Sequence, residues 1–153
     1  MDIYEKLRDM NLELPPAPTL GGVYVPVKRM GNLLFTAGQG CTKDGIPVIT
    51  GKAGGSVTIE DAQEAARICT LNMLSVLHAY TGDLNTIKAV VKILGFVASA
   101  PGFNEQPRVM NAASQLLVDV FGEAGAHARS AIGTNELPGD MTVEVEGIFE
   151  MMG

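Results

Sequence analysis

The stretch Ile-Lys-Ala-Val-Val-Lys-Ile-Leu-Gly-Phe-Val-Ala, residues 87–98, limits the choice of fold more than any other part of the chain. It is rich in valine and isoleucine, and its apolar residues fall on both faces instead of alternating with polar ones. A strand of that kind is buried on both sides. Helices supply one cover. The other must come from outside the single chain, which predicts self-association.

The flanking sequence supplies the helices. Thr58 is placed to cap a helix over Ile59–Tyr80, with Glu60 and Asp61 in its first turn, where negative charge suits the helix dipole. Ala62, Ala65, Ala66, Cys69, Met73, Val76 and Leu77 form one apolar stripe, and Gly82 ends the element. A second helix is predicted over Asn104–Phe121, with Pro107 in its first turn. Upstream, Ile3, Tyr4, Leu7 and Met10 recur at helical spacing, and Leu14-Pro15-Pro16-Ala17-Pro18 stops that short helix. Val23–Lys28 and Leu33–Ala37 read as a strand pair around Met30-Gly31-Asn32. A glycine-rich passage, Gly38–Gly55, follows, with one short strand at Pro47–Thr50. The sum is an α+β fold: one sheet with two long helices packed on one face, in a single domain over residues 1–153 that opens with a helix and proline-rich lead-in at 1–20.

Bulk properties narrow the function. Net charge is −6 with no Lys/Arg cluster, which argues against a nucleic-acid partner. No apolar run is long enough to span a bilayer, and the first residues lack the pattern of a signal peptide. Cys41 and Cys69 match no C-x-x-C pattern, so free thiols in a reducing cytoplasm are expected. Cys69 lies on the apolar stripe and reads as core, and Cys41 sits in the glycine-rich loop, where a reactive thiol is open. Gly38-Gln39-Gly40 and Gly51-Lys52-Ala53-Gly54-Gly55 lack the spacing of phosphate loops. Neither His78 nor His127 has a ligand-like neighbour in sequence, so no metal site is expected.

The end of the chain carries the charged candidates. Ala128–Gly133 and the run after Leu137-Pro138-Gly139-Asp140 read as a closing hairpin. Arg129 would share a face with Ala131, and Thr142, Glu144 and Glu146 would share a face of the last strand. A guanidinium matches a carboxylate bidentately, and a nearby carboxylate can hold a water or relay a proton. From spacing alone a solvated strand arginine is the favoured reading, and for the glutamates an outward polar face or an exposed cross-strand ion pair stays open. Asn111, between Met110 and Ala112, is either a buried helix asparagine or a solvent-facing one.

The segments "GNLLFTAGQ" (31–39), "DAQEAARICTLNMLSVL" (61–77), "PGFNEQPRVMNAASQLLVDVF" (101–121) and "ARSAIGTNELPGDMTVEVEGIF" (128–149) resemble the reactive-intermediate deaminase family, also called the YjgF/YER057c/UK114 family. The resemblance runs from about Gly21 to the end. It implies a chorismate-mutase-like fold in a homotrimer with clefts between subunits. It also implies cofactor-free hydrolysis of enamine/imine acids such as 2-aminoacrylate to 2-keto acids and ammonia. Arg129 then matches the arginine that grips the substrate carboxylate, Glu144 the glutamate that positions water, Tyr24 an active-site tyrosine fourteen residues before Gly38, and Asn111 a cleft asparagine in the second helix. Family members often carry Ser or Thr where this chain has Ala37, and Cys where it has Ala131, which marks a divergent branch. Two other functions stay open: binding of carboxylate metabolites without turnover, and the endoribonuclease activity attached to some members.

Overall fold

The structure is a computed structural model that describes residues Asp2–Gly153. A mixed sheet forms its centre. Strands β1 (Val27–Met30), β2 (Leu33–Thr36), β8 (Val143–Met151), β6 (Ile87–Ala98) and β7 (Ala128–Thr134) run in the order β1-β2-β8-β6-β7, and short β3 (Gln39–Gly40) pairs with β8. β4 (Thr42–Lys43) and β5 (Ile46–Pro47) make a separate ribbon. Helices α2 (Ile59–Thr81) and α3 (Gln106–Phe121) pack on one face, and short α1 (Ile3–Asp9) leans on α3. None of the described helices is long and apolar enough to cross a membrane.

The helices form where their caps and stripes require. Thr58 Oγ1 accepts a hydrogen bond from the Asp61 amide at 3.1 Å, which satisfies one of the unpaired first-turn donors of α2. Gly82 ends α2 at φ 78°, a left-handed conformation that costs a glycine little, and its amide reaches the His78 carbonyl. All seven residues of the expected apolar stripe are buried. They meet Leu34, Ile93, Val143, Val145 and Phe149 of the sheet in one continuous core. Each large side chain fully buried there contributes roughly 1.5–3 kcal/mol. Gly95 of β6 allows α3 to approach the sheet, because any Cβ there would collide with the Met110 side chain.

The central strand spans Ile87–Ala98 as expected, and its neighbours are β8 on one side and β7 on the other. That order corrects the expected closing hairpin. β7 and β8 are not paired: β7 lies parallel to β6 after the α3 crossover, and β8 inserts antiparallel between β6 and β2. A strand–helix–strand unit favours parallel pairing of its two strands, and here it prevails over the local turn at Pro138–Asp140. The expected first strand is also shorter. Val23, Tyr24 and Val25 lie outside the sheet and are exposed, because Gly21-Gly22 precede them and Pro26 has no amide to donate to a neighbour. The short strand expected at Pro47–Thr50 sits instead at Ile46–Pro47, and α3 begins at Gln106, two residues after Asn104.

The face of the sheet opposite the helices carries Phe35, Ile148, Leu94, Phe96 and Ile132 in adjoining registers. Phe35 and Ile132 are 37 % and 46 % exposed, so this apolar face has no cover within the chain. Cys41 and Cys69, remote in sequence, are free thiols buried in contact, and complete burial pushes the Cys69 thiol well up.

Candidate functional site

The expected site residues fall into two groups on opposite faces of the sheet. Strand register fixes this. Glu144 pairs with Phe96 and Glu146 with Leu94, so both glutamates project from the face without helices. Arg129 pairs with Ile93 and Ala131 with Gly95, and those positions face α3. Arg129 and Glu144 are thus separated by the width of β6, about 10 Å across two strand spacings, and lie on different sides. The expectation that adjacent strands aim them at one point is corrected: a single chain does not bring them together.

The first group surrounds Glu144. A cavity of about 430 Å³ is lined by Tyr24, Gly38, Gln39, Gly40, Met141 and Glu144, with the lead-in residues Pro18 to Gly21 along its side. Gly38 is needed for close approach, since a Cβ there would stand 2.5 Å from Glu144 Oε2. Tyr24 is half-exposed, and its hydroxyl accepts from the Gly21 amide at 3.2 Å, which folds the loop over the cavity mouth. Ala37 is half-buried and lies just outside the lining. Burial pushes the Glu144 carboxyl above the usual glutamate range, and the charge of Glu146 adds to the push. None of the four ion pairs among the described residues involves Glu144. A half-buried carboxylate with no cation at hand is a proton acceptor held ready in a polar pocket.

The second group surrounds Arg129 at the β7 edge. Its Nη1 donates to Asn111 Oδ1 at 3.0 Å and to Ser114 Oγ at 3.1 Å, and Nη2 reaches the Pro107 carbonyl at 3.5 Å. Asn111 is exposed on α3, which resolves the alternative left by its apolar neighbours. Ala131 is half-buried two residues on, on the same side of β7. Arg129 has no carboxylate partner in the described residues, so a bound anion would meet a guanidinium already oriented and not yet neutralised.

Two members of this group escaped the sequence reading. Ser114 Oγ lies 2.9 Å from His127 Nε2, and His127 Nδ1 lies 2.6 Å from the Gly125 carbonyl. The signal was present in the spacing: Ser114 follows Asn111 by one helical step of three, and His127 precedes Arg129 by two on an extended chain. The lead-in over the Glu144 cavity was also missed, because proline-rich loops carry no periodicity. Among the described residues no three His, Cys, Asp or Glu side chains gather as a metal site.

Comparison with known proteins places these groups in context. Residues 5–145 match a protein family described as "YjgF/chorismate_mutase-like, putative endoribonuclease". The chain is 40 % identical over 146 residues to Protein TCP17 of Trypanosoma cruzi, covering 95 % of this chain and 91 % of that protein. Among solved structures, Atu1372 of Agrobacterium tumefaciens, of unknown function, superimposes with a TM-score of 0.91 at 41 % identity over 98 % of this chain and 92 % of its own. A Shewanella oneidensis MR-1 protein superimposes with a TM-score of 0.95 at 29 % identity, covering 99 % and 100 % of the two chains.

Proposed function

The chain belongs to the YjgF/chorismate mutase-like family, and from that premise we propose that it hydrolyses reactive enamine/imine acids of the 2-aminoacrylate type to 2-keto acids and ammonia. The observation that carries the reading is Glu144: an uncompensated, half-buried carboxylate with a raised pKa, lining a polar cavity with Tyr24 and Gly38. Arg129 supplies the second requirement, a planar fork of donors for the substrate carboxylate.

Because the two lie on opposite faces of one sheet, the working site combines Arg129 of one copy with Glu144 of another. A homotrimer with clefts between subunits supplies that arrangement, and the uncovered apolar face around Phe35, Phe96 and Ile132 supports such assembly. The chemistry needs no more than positioning. Protonation of the substrate nitrogen makes the imine carbon electrophilic. Water adds to that carbon while Glu144 takes its proton. The tetrahedral carbinolamine then collapses: Glu144 returns the proton to the nitrogen, the C–N bond breaks as the hydroxyl oxygen forms the carbonyl, the hydroxyl proton passes to the departing ammonia, and keto acid and ammonium leave.

A second reading, carboxylate binding without turnover, is favoured by Ala37 and Ala131, which lack the hydroxyl and thiol that relatives often carry. The net charge of −6 weighs against a phosphodiester substrate. Adding the protein to a serine or threonine dehydratase reaction and timing keto-acid release separates the readings. Deaminase activity accelerates release over the buffer rate, and a binding module leaves the rate unchanged while still taking up the product.

A further inference from the structure

The Arg129 side chain is held by a chain of hydrogen bonds whose direction can be deduced. The Gly125 carbonyl can only accept, so His127 Nδ1 carries the ring proton and donates to it at 2.6 Å. In the neutral ring His127 Nε2 is then an acceptor, and the Ser114 hydroxyl donates to it across 2.9 Å. With its hydrogen committed there, Ser114 Oγ presents lone pairs to Arg129, and Nη1 donates into one of them at 3.1 Å. The second Nη1 hydrogen goes to Asn111 Oδ1 at 3.0 Å. Both hydrogens of Nη1 are therefore consumed inside the protein, and one of Nη2 leans on the Pro107 carbonyl at 3.5 Å. What remains is the Nε–H and one Nη2–H, and Nε and Nη2 share one edge of the guanidinium.

We propose that Ser114 and His127 are positioning residues for the carboxylate site, and that with Asn111 they turn Arg129 so that a substrate carboxylate is taken side-on, by Nε and Nη2. The inference deepens the reading of Arg129 as the carboxylate grip and rests on it. Asn111 in this arrangement orients the arginine and does not reach the ligand through its carbonyl oxygen, which is occupied. The Ser–His pair is not a nucleophile and base here, because the serine oxygen is engaged by the guanidinium it orients.

The arrangement assigns different effects to substitutions of similar size. Ser114→Ala removes the acceptor for Nη1 and should weaken 2-oxobutanoate binding about tenfold. His127→Leu should do nearly the same, since Ser114 then has no acceptor to fix its hydroxyl. His127→Gln places an amide oxygen near the Nε2 position and should restore most of the affinity. Asn111→Asp sets a carboxylate against Nη1, which should lower affinity by more than tenfold while leaving thermal stability equal or higher. A purely structural role predicts the opposite: lower melting temperatures with affinity unchanged.

The experiment is a calorimetric titration of these variants with 2-oxobutanoate, together with ¹H–¹⁵N spectra of the Arg129 Nε–H in the full-length wild type. Weaker binding in Ser114→Ala and His127→Leu, recovery in His127→Gln, and a ligand-induced shift of the Nε–H signal are expected. Unchanged affinity in Ser114→Ala and His127→Leu, or an Nε–H signal that stays fixed at saturating ligand, overturns the proposal. If Arg129→Lys also binds as the wild type does, the site reading beneath it has failed. If only Arg129→Lys loses binding, the failure belongs to the positioning chain alone.

Discussion

Glu144→Gln is expected to lower turnover of 2-aminoacrylate about 10²–10⁴-fold, the range for a positioned acid–base group, with the affinity for keto acids little changed. Glutamine is nearly isosteric and keeps the contact with Gly38, but it cannot accept the proton of the attacking water. The raised pKa of Glu144 gives this prediction a pH signature. Activity depends on the ionised carboxylate, so it falls as pH drops through that raised value. Glu146→Gln removes the second cause of the shift and should move the acidic limb of the profile to lower pH, with much less effect on the plateau rate. Stability runs the other way. A carboxyl whose folded pKa is raised disfavours the folded state once ionised, so the stability of the wild type declines as pH rises through that pKa. Glu144→Gln should therefore equal the wild type below the ordinary glutamate range and exceed it near neutrality. Melting curves across pH would show this, and identical curves together with wild-type turnover would return Glu144 to the surface.

Arg129→Lys is the second large effect. Charge is conserved, yet a lysine is a point charge with no planar fork, and it cannot satisfy Asn111 and Ser114 while gripping two carboxylate oxygens. Loss of a desolvated, hydrogen-bonded charge contact costs on the order of 2–5 kcal/mol, or roughly 30- to 5000-fold in affinity for pyruvate or 2-oxobutanoate. Equal affinity of variant and wild type would assign Arg129 to the solvated edge of β7.

Local signals carried much of the fold. Ile87–Ala98 was legible because a run with apolar residues on both faces has few alternatives to a central strand, and its lack of a second cover is visible in the exposed Phe35 and Ile132. Helix α2 was legible from Thr58, its alanine-rich stripe and Gly82. Sheet order was not, because it depends on pairing between distant segments. The turn at Pro138–Asp140 resembles a hairpin connection, whereas the strands it joins are held apart by β6. That single error put Arg129 and Glu144 side by side when the fold sets them on opposite faces. Tyr24 was misplaced for a related reason: Val-Tyr-Val has strong β-propensity, and no strand is available to pair with it ahead of Pro26. Arg129, Glu144 and Asn111 were candidates by residue type and position, family resemblance gave them roles and added Tyr24, and the residues that orient Arg129 came only from the structure.

The central claim is that Arg129 and Glu144 serve one site from two different copies of the chain. Coexpression of equal amounts of Arg129→Lys and Glu144→Gln, each nearly inactive alone, tests it most directly. If every cleft takes its arginine from one copy and its glutamate from a neighbour, random assembly leaves about a quarter of the clefts with both native residues. Turnover of 2-aminoacrylate near a quarter of the wild-type rate is the predicted result. Turnover no greater than the sum of the two variants measured separately would contradict the shared site.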